Sequence, residues 1–182
     1  FIPGSINIGI DGDFAVWVGT LIPDIQQNIL LITEPGREAE AVTRLARIGC
    51  DQTLGYLEGG FTSWKNAEKP VDTIQSLSAD LFVNNYHAGV LLDVRKEGEF
   101  ESEHFVGAVN KPLDFIEDNL HSLNPEETYY IHCAGGYRSM IYASILCAKG
   151  FKHLVNLEGG FKALKATGKL IATEYVCPKT LL

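Results

Sequence analysis

Residues 129–139 read Tyr-Tyr-Ile-His-Cys-Ala-Gly-Gly-Tyr-Arg-Ser. Tyr129 to Cys133 has the short apolar character of a buried strand, and Ser139-Met140-Ile141-Tyr142 opens a helical run. A strand that passes through a glycine pair into a helix is the repeating step of a parallel α/β fold. The cysteine at its centre has neighbours that a packing cysteine does not need. Gly135 and Gly136 let the backbone curl with its N–H groups pointing inward. The helix that follows aims the positive end of its dipole at the same spot, and Arg138 adds a fixed charge at the rim. Each feature favours an anion at the centre, so the loop favours the thiolate of Cys133. His132 precedes it on the strand, points to the opposite side, and is expected to pack rather than to react.

Working outward, the chain repeats itself at an offset of 100 residues. GYLEGGFTSW (55–64) matches VNLEGGFKAL (155–164), and IPGSIN (2–7) shares a Gly-small-apolar-Asn core with VGAVNK (106–111). RLARIG (44–49) and ILCAKG (145–150) both read as helix ends closed by glycine, and ILLIT (29–33) reads, like YYIHC, as a short buried strand. Upstream in the second copy, Ser76-Leu77-Ser78-Ala79-Asp80 signals a helix start and VLLDVR (90–95) a central strand. The boundary is expected near EKPVDTIQS (68–76), which is polar and carries a proline. The first copy has no counterpart of VLLDVR, so the chain reads as a fragment whose first unit is truncated at its N-terminus.

The 182 residues suit two small domains, and the formal net charge of -8 without a basic cluster argues against nucleic acid as a partner. No apolar run reaches the length that spans a bilayer, and FIPGSINIGIDGDF has neither the basic nor the apolar region of a signal peptide. Cys50, Cys133, Cys147 and Cys177 fit neither a disulfide framework nor a paired zinc site, which points to a reducing, cytoplasmic setting. Cys50 and Cys147 read as small packing residues, and Trp17 and Trp64 as core or interface aromatics. His104 is expected at a turn, in a structural hydrogen bond.

CAGGYRS resembles the active-site loop of the rhodanese family of sulfurtransferases, and LLDVR, GAVN (107–110) and LEGGF match further signature stretches in the right order. The resemblance covers the second unit and, more weakly, the first. It implies two rhodanese-like domains, each a small parallel sheet flanked by helices: residues 1–70, truncated and inactive, and residues 71–182, active. It further implies that Cys133 takes sulfur from thiosulfate or a low-molecular-weight persulfide and passes it to a thiol or cyanide. Ala134, Gly135, Gly136, Tyr137, Arg138 and Ser139 would hold the charge, with Arg138 orienting an anionic donor, and no metal or other cofactor is needed. Asp93 and Arg95 would brace the loop from a neighbouring strand end.

Four residues separate Cys133 from Arg138. Phosphatases that share this fold have five, a ring that fits a tetrahedral phosphate, so the shorter loop favours sulfur over phosphate. The loop's single cation leaves a persulfide or polysulfide donor as open as thiosulfate. In the first unit Thr33 takes the place of Cys133, Pro35 removes an amide, and Glu34 and Glu38 would repel an anion. Such pairs of one inactive and one active unit occur behind a metallo-β-lactamase-fold domain in persulfide-oxidising fusion proteins, and FAVWVGTL (14–21) is similar to part of those fusions. A domain of that kind would lie outside this chain. The alternative to a stand-alone enzyme is therefore a sulfur-accepting regulatory or binding module of such a fusion.

Overall fold

A computed structural model of the chain describes residues 1–86 and 88–177. The chain divides into two compact units, Phe1–Thr73 and the remainder from Ile74 onward.

In the first unit, α1 (Phe14–Leu21), β1 (Ile29–Leu31), α2 (Glu38–Ala46), β2 (Thr53–Tyr56) and α3 (Gly60–Asn66) follow one another, and β1 pairs with β2 in parallel. The alternation of strand side chains sends Leu31 into a cluster with Phe14 and Val18 of α1, Ala41 and Leu45 of α2, and Cys50. Trp17 is buried, while Trp64 is half-buried and its indole donates to the Pro70 carbonyl. The run ILLIT is not the fully buried strand its apolarity suggests. Leu30 is 74% exposed, and Leu54 and Tyr56 on β2 are exposed with it. An apolar run records what a strand could bury on two faces; here α1 and α2 cover only one.

The second unit runs β3 (Gln75–Leu77), α4 (Ala79–Asn85), β4 (Val90–Asp93), α5 (Glu97–Ser102), β5 (Val109–Asn110), a 3₁₀ turn at Leu113–Phe115, α6 (Ile116–Leu120), β6 (Tyr129–His132), α7 (Tyr137–Ala148), β7 (Leu154–Leu157) and α8 (Gly160–Ala166). The strands form one parallel sheet in the order β3-β7-β6-β4-β5. Ser78 starts α4 by accepting a hydrogen bond from the Leu81 amide at 3.3 Å. On one face Leu91, Val155 and Leu157 meet Phe82 of α4 and Leu164 of α8. On the other, α7 packs on β6 and β7. Leu92, Ile131 and Leu157 have no exposed surface, and each such burial contributes roughly 1.5–3 kcal/mol relative to an exposed side chain.

From β4 the chain crosses to β5 on one side, then returns to β6 on the other side of β4 and goes on to β7. The connections thus reverse direction between β4 and β6. The crevice at the carboxyl ends of those two strands is where an open parallel sheet offers a site. Asp93 and Cys133 both emerge there.

Candidate functional site

Cys133 follows the last residue of β6 and is 1% exposed. Gly136 caps α7 with φ +107°, a conformation that L side chains resist, and this turn brings its N–H to within 3.1 Å of the Cys133 sulfur. The Ser139 hydroxyl lies 3.7 Å from the same sulfur. It is held by the Asn156 side-chain oxygen at 2.7 Å and the Gly136 carbonyl at 3.0 Å, and Asn156 itself donates to Ser76 Oγ at 3.3 Å. The sulfur therefore sits over the first turn of α7 with a backbone donor and a hydroxyl in reach, the arrangement that holds negative charge at a helix N-terminus.

The chain also fixes the loop from below. The Phe161 amide donates to the Cys133 carbonyl at 2.7 Å, and Gly160 passes so close that only hydrogen fits at its α-carbon. In the sequence Gly159 and Gly160 stand out only as part of LEGGF, and the support they give the loop is not legible there. Asn156 and Glu99 are likewise absent from the residues the sequence singles out. Asn156 carried a signal, a polar residue inside an otherwise apolar strand just ahead of LEGGF.

Arg138 does not stand open to a ligand. Its guanidinium grips the Glu99 carboxylate at both ends, at 2.5 and 2.9 Å. Burial raises the Glu99 carboxyl, but the hydrogen bond and charge of Arg138 outweigh it and hold the group below the usual carboxylate range. Arg138 is raised in turn, chiefly by its hydrogen bonds to Glu99.

Asp93 and Arg95, expected to brace the loop, bind each other first. Both are buried, and the guanidinium contacts the carboxylate at 2.6 and 3.0 Å. Arg95 also donates to the Glu103 carbonyl and lies 4.1 Å above the Phe161 ring. Asn110 of GAVN donates to the carbonyls of Asp93 and Arg95, closing the turn after β4. They approach the cysteine through two neighbours, Phe161 beneath Arg95 and His132 beside Asp93, with no direct bond to the loop among the described residues. His132 has no exposed surface, and among the described residues its Nε2 has no hydrogen-bond partner, with Asp93 3.8 Å away. Burial pushes its pKa down, partly offset by Asp93. His104 makes the expected structural contact, its Nδ1 2.7 Å from the Phe100 carbonyl. Among the described residues, no group of His, Cys, Asp or Glu is arranged to hold a metal ion, and no helix is long and apolar enough to cross a membrane.

In the first unit the loop after β1 bonds to its own carboxylate. The Gly36 amide, at the place of Gly136, donates to the Glu38 carboxylate at 2.9 Å. Gly60 crowds the Thr33 carbonyl just as Gly160 crowds that of Cys133. Arg37, on the rim of an open groove of about 880 Å³ in this unit, is paired with Asp11 and Glu40.

The unit that carries this strand-end cysteine, cradled by the next helix, is matched by a family model. The model, Rhodanese-like domain, aligns with residues 75–167. The chain belongs to the rhodanese-like domain family. Membership rests on the second unit, since residues 1–74 lie outside the match.

The chain is 32% identical over 108 residues to the putative sulfur carrier protein YrkF of Bacillus subtilis, covering 58% of this chain and 56% of that protein. It is 30% identical over 77 residues to the thiosulfate sulfurtransferase GlpE of Coxiella burnetii, covering 42% of this chain and 72% of that enzyme. Its fold is that of the rhodanese-like domain of the Alr3790 protein from Anabaena, solved in solution, with 25% identity and a TM-score of 0.51 over 56% of this chain and 80% of that one.

Proposed function

We propose that the second unit is a sulfurtransferase in which Cys133 carries sulfur as a persulfide. The observation that supports this best is the buried Cys133 sulfur 3.1 Å from the Gly136 amide at the start of α7. A thiolate there attacks the outer sulfur of a donor. With thiosulfate the S–S bond breaks and sulfite leaves with the electron pair. With an organic persulfide, CysS⁻ + HS–SR gives CysS–SH + RS⁻. An acceptor thiolate or cyanide then attacks the terminal sulfur of the Cys133 persulfide, and the Cys133 thiolate leaves. The Gly136 amide and the Ser139 hydroxyl stabilise the charge on whichever sulfur holds it. Ala134, Gly135, Tyr137 and Arg138 complete the loop, and Asp93 and Arg95 hold the strand end beside it.

The first unit is an inactive copy of the same fold under this reading. Supporting it are the offset of 100 residues between the two LEGGF stretches, the shared crowding at Gly60 and Gly160, and the internal carboxylate of Glu38 where an anion would bind. A second reading, a sulfur carrier that accepts only from a partner domain such as one of metallo-β-lactamase fold, draws support from the likeness to a putative sulfur carrier protein.

Intact-mass spectrometry after incubation with thiosulfate, and separately with glutathione persulfide, tests both. A gain of one sulfur atom, removed by cyanide and absent in Cys133→Ser, is the expected result. A folded, reduced chain that gains none from either donor sinks the stand-alone enzyme and leaves the carrier.

A further inference from the structure

We infer that Glu99 selects the sulfur donor: its carboxylate occupies Arg138 in place of a substrate anion and turns the site toward organic persulfides and away from thiosulfate. The inference rests on the sulfurtransferase reading of Cys133 and names its substrate class.

Arg138 is the one cation of the loop, and the two ends of its fork are both spent on Glu99, at 2.5 and 2.9 Å. Its side chain is only 16% exposed. The carboxylate is not a loose surface group that drifts in. Glu99 lies in the first turn of α5, where it also accepts from the Lys96 amide at 3.2 Å, so two independent bonds fix it. Thiosulfate carries two negative charges. To use the guanidinium it must evict a bidentate carboxylate, and without eviction it sits beside a like charge on a side chain 37% exposed, where solvent screens the repulsion in part.

An organic persulfide asks less of the site. Its reacting sulfur is neutral when protonated and singly charged otherwise, and the Gly136 amide and Ser139 hydroxyl already serve the sulfur atoms. The loop around it presents uncharged Ala134 and Gly135 on the exposed rim and half-buried Tyr137, surfaces that suit a carbon-bearing donor.

The test is Cys133 loading from thiosulfate and from glutathione persulfide, followed by mass in wild type, Glu99→Gln and Glu99→Asp. Wild type should load from glutathione persulfide at least about tenfold faster than from thiosulfate at equal concentration. Glu99→Gln should raise thiosulfate loading about tenfold, through KM rather than the maximal rate, and change persulfide loading less than about threefold. Glu99→Asp keeps the charge and should keep the discrimination. A wild type that prefers thiosulfate, a Glu99→Gln variant with an unchanged donor ratio, or an Asp variant that behaves like the Gln variant overturns the assignment. Calorimetric binding of thiosulfate to Cys133→Ser, with and without Glu99→Gln, reads the same competition without turnover. Equal affinity there rejects the role of Glu99, whereas failure of every protein to gain sulfur rejects the sulfurtransferase reading itself.

Discussion

A β-carbon on Gly160 would stand 2.3 Å from the carbonyl oxygen of Cys133, and one on Gly60 would stand 2.2 Å from the carbonyl oxygen of Thr33. The glycine of each LEGGF stretch is the floor on which the strand-end loop rests. Both glycines also have positive φ, +55° and +57°. The fold thus places the same backbone contact under a cysteine in one unit and a threonine in the other.

Gly160→Ala should therefore push the Cys133 loop off its seat. The clash is with backbone, which cannot rotate away, and the conformation disfavours a side chain besides. The expected cost is roughly 2–4 kcal/mol of stability, with sulfur loading of Cys133 lost even where the chain still folds. Urea denaturation and intact mass read the two effects separately. An Ala variant that loads sulfur at the wild-type rate contradicts this account.

Ser139→Ala removes a hydroxyl 3.7 Å from the Cys133 sulfur and leaves the Asn156 oxygen without that donor. The hydroxyl can turn its proton from Asn156 to the sulfur when charge collects there. Loading should slow by about 5–30-fold, the value of one hydrogen bond to a charged or neutral partner, with the fold retained. Single-turnover kinetics measures it; an unchanged rate would mean that the Gly136 amide suffices.

Asp93→Asn leaves Arg95, 5% exposed, with a neutral partner in place of its carboxylate. Breaking a buried pair on one side costs about 3–5 kcal/mol, so the midpoint of denaturation should fall sharply. Because Asp93 reaches the cysteine through its neighbours Arg95, Phe161 and His132 and not by a bond of its own, folded protein should retain most of its loading rate. Loss of loading without loss of stability would instead make Asp93 a direct participant.

His132 makes stability pH-dependent. Burial holds its folded-state pKa below the ordinary value of 6.5, so the unfolded chain binds the proton more readily. Its contribution is present above pH 6.5 and is lost as pH falls through the lower folded pKa. Denaturation of wild type and His132→Gln at about pH 7 and about pH 5 should show a steeper acid loss in wild type. Parallel losses would place the acid sensitivity elsewhere.

The Arg138–Glu99 pair adds a second acid-labile contact. Glu99 is held below the usual carboxylate range, so its contribution persists above that range and vanishes as pH falls through the depressed value. The stability difference between wild type and Glu99→Gln should shrink in acid. A difference that stays constant down to about pH 3 would show that the carboxylate charge contributes nothing.

The sequence by itself determined the local steps: a strand, a glycine-bent loop with cysteine at its head, and a helix whose N-terminus faces that cysteine. Those depend on neighbours within about ten residues, on apolar period and on the freedom of glycine, and they are legible in YYIHCAGGYRS and VLLDVR. What only the tertiary structure decided depends on residues far apart in the chain. Glu99 and Arg138 are 39 residues apart, and no pattern marks one acidic residue of EGEFESE as the one that closes on the loop. ILLIT and YYIHC look alike as strings, yet Leu30 is exposed while Tyr130, at the same position, is half-buried, because coverage of a sheet face is set by what packs on it. Burial and pairing are properties of the assembled chain, and they fix which charges around Cys133 remain free to meet a substrate.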